Sequence, residues 1–317
     1  MGATRQYALE PRGPFSLHSA ISFLQGFAPA LHGRGGQVGH LHLAFVPDGE
    51  RRVAGACVRS QDGHLVVEVS GPAEPGAAAR QVERILSLDV DGSGFPDVGE
   101  RDPAIGRLQA RYPGLRPVSF PSPFEAGAWF VLSQRLRAAQ AVALKARITD
   151  ELGERVAICG EERAAFPAPG VVAELEGLAG LPERKLATLR GLAQAAAQGE
   201  LDGERLRAMG GEAAVEELQR LPGVGPFTAQ GIVVRGAGEP DHLATAEPRM
   251  AHAAALAYGL DAPLAPEELA RRGEAWRPYR SWVGLLLRLG LQDASHETRP
   301  HFEMHWRAGE RARSRGR

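Results

Sequence analysis

Cysteine is nearly missing from this 317-residue chain, which holds only Cys57 and Cys159. They lie far apart and neither belongs to a Cys-x-x-Cys pair, so a four-thiolate iron–sulfur cluster is excluded. Each reads as a small buried apolar residue, the usual fate of a free thiol. Also missing is any apolar run near the roughly 20 residues needed to span a bilayer. The opening MGATRQYALEP has no apolar core of a signal peptide. Gly2 follows Met1, but Gln6 spoils a myristoylation context. These absences predict a cytoplasmic protein with no membrane partner. A large charge of either sign is lacking too, since the net charge is −1. That argues against an overall basic coat, but not against a local field able to hold nucleic acid. Arginine far outnumbers lysine, and its planar fork suits phosphate.

What is present is an ordinary soluble composition, 44% hydrophobic and 24% charged, in a chain long enough for two or three domains. The first third mixes strand and helix patterns. QYALEP, HLHLAF, RRVAGACVRS and HLVVEVSG are short strand-like runs. SLHSAISFLQGF reads as a helix capped by Ser16, and GAAARQVERILSL has Val82, Ile85 and Leu86 at helical spacing. Turn signals such as HGRGGQ, PDGERR and PAEPG separate them. A small α+β domain over residues 1–117 is expected. DVDGSGFPD superficially resembles the start of an EF-hand loop and is read as a surface loop without calcium.

From about Phe120 onward alanine and leucine dominate and strand signals fade. SPFEAGAWFVLSQRLRAAQAVALKARITDEL reads as one long helical stretch. It opens on Ser122 with Glu125 three residues on, the capping-box spacing, and with Pro123 at the first helical position. Seven shorter helical patterns follow, from VVAELEGL to YRSWVGLLLRLGLQDA. A helical domain with short connections is expected over 118–295. Residues 296–317 form a polar, basic tail. His296, His301 and His305 in that tail lack a partner carboxylate in a defined frame, so no metal is assigned to them.

One stretch, LQRLPGVGPFTAQGIVVRG, sets a tight hairpin before an apolar helix with almost no reactive side chain in it. Gly223 and Gly225 permit positive φ and close backbone approach. The next helix starts at once, so its free N–H groups point out of the turn and suit an anion. A nucleic-acid phosphate held by bare amides is positioned without sequence being read. The hairpin residues Pro222, Gly223, Val224, Gly225, Phe227 and Thr228 are therefore the candidate backbone-binding group. An ordinary tight turn between helices is the alternative.

LPGVGPFTA resembles the motif of the helix-hairpin-helix DNA glycosylase superfamily. SPFEAGAWFVLSQ, GLPERKLATLRGLAQ and WRPYRSW resemble segments of its 3-methyladenine DNA glycosylase II family, in the same order. GPFSLHSAISFLQGFAP resembles that family's N-terminal unit, an α+β domain like the TATA-binding protein. The resemblance runs from about Pro11 to Leu291 and implies a hydrolase of base-excision repair that acts on damaged double-stranded DNA as a monomer associated with the nucleoid.

Such enzymes swing the base out of the duplex and break its C1′–N bond with oxocarbenium character. A nearby carboxylate stabilises the charge and orients or deprotonates water. In the family this is an Asp at a helix start beyond the hairpin. The matching residue here is Glu247, a departure that moves the carboxylate roughly 1.5 Å outward; Asp241 is the alternative. Phe227 stands where some superfamily members carry a Schiff-base lysine, so base release without strand nicking is implied. The resemblance also implies a monovalent cation, Na+ or K+, on the carbonyls of Gln219, Leu221 and Val224, and no other cofactor. It puts Gln134 and Arg135 at the gap left by the flipped base. Trp129, Phe227, Trp276, Tyr279 and Trp282 are candidate pocket aromatics, and Arg280 is a candidate partner for the carboxylate or a phosphate. Cationic 3-methyladenine and 7-methylguanine, or neutral hypoxanthine and ethenoadenine, remain open as lesions. A helix-hairpin-helix protein that binds damage without cutting is the rival, and a protein-interaction module is a further one.

Overall fold

Four short strands form where apolar residues alternate along the chain. The computed structural model describes residues 4–27, 39–62 and 64–295, so the proposed tail lies outside the described residues. Strands β1 (Arg5–Leu9), β2 (Leu41–Phe45), β3 (Ala54–Gln61) and β4 (His64–Ser70) make an antiparallel sheet in the order β1-β4-β3-β2. Helix α1 (Leu17–Gly26) starts where Ser16 Oγ accepts from the Ser19 amide, as the sequence indicates. Helix α2 (Pro75–Ile85) is capped by the Glu74 carboxylate. Their apolar faces enclose a core with Phe45, Val58, Val67, Val82 and Ile85. The chain is an α+β protein.

Two helices not singled out in the sequence follow, α3 (Phe95–Arg101) and α4 (Pro103–Arg111). The DVDGSGFPD loop leads into them. The carboxylate spacing continues through Asp97 to Glu100, a fuller EF-hand match than its first nine residues suggest. Those groups do not converge, however. Asp89 pairs with Arg207 at 2.5 Å, and Asp91 Oδ1 accepts from the amide and hydroxyl of Ser93.

A strap comes next. Leu115 to Phe120 are all buried, although the expected domain boundary falls at 117/118. Arg116, 1% exposed, organises the strap. Its guanidinium donates to the carbonyls of Pro14 and Ser87 at 2.9 Å, of Val90 at 3.1 Å, and of Arg12. The Ser119 amide donates to the Ile85 carbonyl at 2.7 Å.

Beyond the strap the chain is mainly helical. Helix α5 (Pro123–Ser133) is capped by Ser122, whose Oγ accepts from the Glu125 amide at 3.0 Å. The Glu125 carboxylate meets Lys145 at 2.7 Å. The expected long helix is broken here: Arg135 adopts φ +57°, and α6 begins only at Ala138, running to Leu152. A strand pair then intervenes where none was expected, β5 (Arg155–Ile158) with β6 (Glu161–Ala164). Helices α7 (Pro169–Ala173), α8 (Glu183–Ala197), α9 (Gly203–Ala208), α10 (Gly211–Leu218) and α11 (Pro226–Gly231) follow. The helical run continues as a wide π-turn, Ile232–Ala237. Then come α12 (Met250–Tyr258), α13 (Pro266–Gly273), a 3₁₀ turn at Glu274–Trp276, and α14 over 280–295.

Helices α5, α8, α9, α10 and α11 with the π segment enclose a second core containing Leu132, Leu192, Leu206 and Ile232. A third joins Phe95, Val98 and Ile105 of α3 and α4 to Met250, Trp276 and Trp282 near the C-terminal end. The first 117 residues thus share a core with the last helices.

A buried ion pair fastens α2 to the start of α9. Arg84 meets Asp48 at 2.6 Å, both side chains under 10% exposed, and the same Asp48 oxygen accepts from the Gly203 amide at 3.0 Å. Burial pushes the Asp48 carboxyl upward against the pull of Arg84. Removing one partner strands a buried charge. Asp48→Ala is therefore expected to lower unfolding free energy by about 3–5 kcal/mol, and Asp48→Ala with Arg84→Met by much less. Urea denaturation of both variants measures the difference.

Candidate active site

The hairpin between α10 and α11 is a tight turn. The Val224 amide donates to the Leu221 carbonyl at 3.1 Å, with Pro222 second in the turn and Gly223 third at φ +83°. Pro then Gly at those places is the type II signature. Gly225, in contrast, is extended (φ −93°, ψ 176°) and caps α11, so only one of the two glycines needs the left-handed region. A Cβ on Gly225 would meet nothing within 4 Å, whereas one on Gly223 would lie 2.3 Å from Thr188 Oγ1. The hairpin is thus pressed on α8. Val224 and Thr228 are buried and anchor it, while Pro222, Gly223, Gly225 and Phe227 face solvent.

Helix α8 also holds the turn between α5 and α6. Lys185 Nζ donates to the carbonyls of Leu132 at 2.8 Å and Gln134 at 2.7 Å, which ends α5. Gln134 and Arg135, the expected gap residues, are exposed on this turn. Lys185 lies one helical turn from Thr188, so both exposed turns rest on one side of α8. A line of rings connects them inward. Phe227 meets Phe130 edge-on at 5.3 Å, Phe130 lies 6.3 Å from Phe120, and Phe120 lies 5.5 Å from Phe27.

Glu247 sits in the loop between the π segment and α12, where its carbonyl accepts from the Met250 amide. Gln230, one turn after Phe227, clamps that loop to the hairpin helix. Its Oε1 accepts from the Ala246 amide at 2.8 Å and its Nε2 reaches Thr245 Oγ1 at 3.4 Å. The Glu247 carboxylate accepts from the Arg249 amide at 3.2 Å and faces Arg249 and Arg288 at 3.6 and 3.8 Å. Burial holds the Arg288 guanidinium below its usual range, partly offset by Glu247. Next to it is Arg235, carried inward by the π segment. Its guanidinium lies 4.7 Å over Phe27 and 5.3 Å over Phe23 and donates to the Val118 carbonyl. Burial and the Arg288 charge push Arg235 down to about 10.

Asp241 has a different environment, although both carboxylates are 20% exposed. It accepts from Arg280 Nε at 2.8 Å and Arg277 Nη1 at 2.7 Å. Arg280, offered above as a partner for carboxylate or phosphate, is thus spent on fixing Asp241 to the start of α14.

Three of the five candidate pocket aromatics are interior. Trp276, Tyr279 and Trp282 are 0%, 5% and 2% exposed. Trp276 Nε1 donates to Asp102 at 3.0 Å, Tyr279 Oη donates to the Asp91 carbonyl, and Trp282 packs on Phe95. No face of these rings is open to a base, because packing α14 against α3 and α4 consumes them. Trp129 is half-buried on α5, and Phe227 is exposed. Sequence reading missed Phe23, Phe27, Phe120, Phe130, Gln230, Arg235 and Arg288. Only Gln230 carried a local signal, one helical turn beyond Phe227.

The carbonyls expected to hold a cation, those of Gln219, Leu221 and Val224, belong to this same hairpin. Of the two cysteines expected to be buried, Cys57 is, but Cys159 is exposed at the tip of the β5–β6 turn, where no core forms around it.

A tight Pro-Gly hairpin on a helical body, joined to a small antiparallel sheet, defines a helix-hairpin-helix protein. No family model matches the chain. It is 28% identical over 273 residues to DNA-3-methyladenine glycosylase 2 of Escherichia coli (strain K12), covering 83% of this chain and 87% of that one. It is 25% identical over 212 residues to the DNA-3-methyladenine glycosylase of Bacillus subtilis (strain 168), with 66% and 70% covered. Among solved structures, the 3-methyladenine DNA glycosylase from Archaeoglobus fulgidus has the same fold, with a TM-score of 0.72 and 22% identity, covering 89% of this chain and 96% of that one. These similarities support the resemblance to the 3-methyladenine DNA glycosylase II, or AlkA-like, family of helix-hairpin-helix proteins.

Gly223 is the hairpin position that tolerates change least. Gly223→Ala is expected to cost about 1–3 kcal/mol through its backbone conformation and the Thr188 contact. Adding Thr188→Ala should recover only the contact part, as read by thermal unfolding of both variants.

Proposed function

We propose that this protein is a monofunctional DNA glycosylase that flips and excises alkylated purines from duplex DNA at the start of base-excision repair. The hairpin amides and the exposed turn at Gln134 and Arg135 would engage one duplex together, the first on a backbone phosphate and the second in the gap left by the base. Base loss leaves positive charge on the sugar. The Glu247 carboxylate would stabilise that charge and take a proton from the attacking water, so that water oxygen bonds to C1′ as the base departs. A methylated purine already carries positive charge and leaves without an acid.

The observation that carries this assignment is the contrast between the two candidate carboxylates. Asp241 is locked by two arginine side chains at hydrogen-bond distance, whereas among the described residues Glu247 has no guanidinium nitrogen closer than 3.6 Å and accepts only the Arg249 backbone amide. The absence of strand nicking has its own support. Lys145 is ion-paired with Glu125, and Lys185 is bound to two carbonyls. Neither is placed as a free amine at the hairpin. A monovalent cation on the carbonyls of Gln219, Leu221 and Val224 would brace the hairpin against phosphate, with the protein acting as a monomer.

One observation favours a second reading of the lesion. The faces of Phe23 and Phe27 already carry the Arg235 guanidinium, with Arg288 beside it. A cationic base gains most from open aromatic faces, and two neighbouring guanidiniums repel it. Neutral lesions with carbonyl or ring-nitrogen acceptors, such as hypoxanthine or ethenoadenine, suit this surface better.

Glu247→Gln is expected to lower the single-turnover rate of base release by about 100-fold or more, while Asp241→Asn leaves the chemical step within a few-fold. Equal rates for wild type and Glu247→Gln would move the chemistry to another carboxylate. Binding of lesion duplexes without release by wild type would favour the non-cutting reading. In a competition between 3-methyladenine and hypoxanthine duplexes, Arg235→Leu should shift kcat/KM toward the cationic base; an unchanged ratio would remove the charge argument.

A further inference from the structure

The two cysteines meet on the side of the molecule where β5 and β6 lie against the four-stranded sheet. His40 and His42, two apart at the start of β2, point to the same face of the strand. Cys57 on β3 is the direct cross-strand partner of His42. Cys159 arrives from the two-residue turn between β5 and β6. One ligand atom from each of His40, His42, Cys57 and Cys159 falls within 4.8 Å of the other three, the only such gathering of histidine, cysteine or carboxylate among the described residues.

We propose that His40, His42, Cys57 and Cys159 bind a structural zinc ion that fastens the β5–β6 hairpin to the sheet. Two thiolates and two imidazoles form a closed tetrahedral Zn2+ set, with bonds of about 2.3 Å to sulfur and 2.0–2.1 Å to nitrogen. Such bonds put the donor atoms roughly 3.3–3.8 Å apart. A small inward turn of the side chains reaches that spacing, and Cys57 Sγ is already 3.4 Å from His40 Nδ1. Four protein ligands leave no open position, which marks a structural rather than a hydrolytic site.

Three independent features agree. Both ring nitrogens of His42 are shut off from water with no hydrogen-bond partner, a costly state for polar atoms that a metal bond would relieve. Cys159 holds φ +49° ahead of Gly160 at φ +83°. That turn strongly prefers Asn, Asp or Gly at its first central position, so a thiol is kept there against local preference. The apolar cluster under the hairpin is small, with Val53, Cys57, Val156, Ile158 and Ala165 as its buried members. A metal clip would supply what so little apolar burial cannot. Burial, followed by the neighbouring Cys159, pushes the Cys57 thiol up to about 12. Zinc would displace both thiol protons and form two Zn–S bonds without any change of oxidation state.

Full-length protein purified from zinc-supplemented medium without chelator should contain about one zinc per chain by plasma mass spectrometry. Cys159→Ser and His42→Ala should each remove most of it while far-ultraviolet circular dichroism stays unchanged. Cobalt in place of zinc should give the visible bands of a tetrahedral site with sulfur-to-metal charge transfer, and Cys159→Ser should abolish the charge transfer. Chelation should lower the unfolding temperature of wild type but not of Cys159→Ser. Metal-free protein with two titratable thiols after incubation with zinc would overturn the proposal. So would a Cys57–Cys159 disulfide in freshly purified protein, seen as a mass lower by two hydrogens. None of these readouts depends on base release.

Discussion

A single buried guanidinium holds the two halves of this protein in register. Arg116 has almost no contact with water, and no carboxylate is within its hydrogen-bonding set; instead the carbonyls of Arg12, Pro14, Ser87 and Val90 surround it. Those carbonyls belong to the segment after β1 and to the segment that follows α2. Its planar face lies 5.2 Å from the Trp282 ring of α14. A cation removed from water costs several kcal/mol unless its donors are satisfied, so each of these segments is constrained to arrive where it does. Gly92 shows how closely they crowd it: a Cβ there would come within 2.6 Å of the Arg116 guanidinium.

The candidate site inherits that constraint. Trp282 fixes α14 near its start, and α14 carries Arg288 about two turns later to the Glu247 carboxylate. The strap that Arg116 begins continues to Val118 and Phe120, which bind the Arg235 side chain and backbone, respectively. From the opposite side, Gln230 ties the Glu247 loop to the hairpin helix. Glu247, Arg288 and Arg235 therefore come together through three connections, none of them local in sequence.

This explains which parts were legible in the sequence. The helices of the C-terminal part, the Ser16 and Ser122 caps and the hairpin were readable because each depends on residues within a few positions of one another. The β5–β6 pair also left a local signal, with Val156 and Ile158 alternating before Cys-Gly, but the surrounding helical composition hid it. The break at Arg135 was not readable, because it depends on Lys185 of α8 taking two carbonyls from α5. Trp276, Tyr279 and Trp282 look equally suited to a pocket or a core; the choice is made by α3 and α4, which lie more than 150 residues earlier in the chain. The meeting of Cys57 with Cys159 is of the same kind, set by the packing of the β5–β6 hairpin on the four-stranded sheet, with the two residues 102 positions apart. The Glu247 position was readable only by its place after the hairpin, and its arginine neighbours were not.

The π-turn at Ile232–Ala237 has a consequence for how this surface can diversify. A π-turn holds one residue more than the α-helical turn it replaces. Deleting a single residue from it would restore α geometry and swing the following positions by roughly 100° around the helix axis. Arg235 would then leave the faces of Phe23 and Phe27 without any change in the residues lining them. An indel of one codon, rather than a series of substitutions, is thus a short evolutionary route between a charged and an uncharged version of this surface.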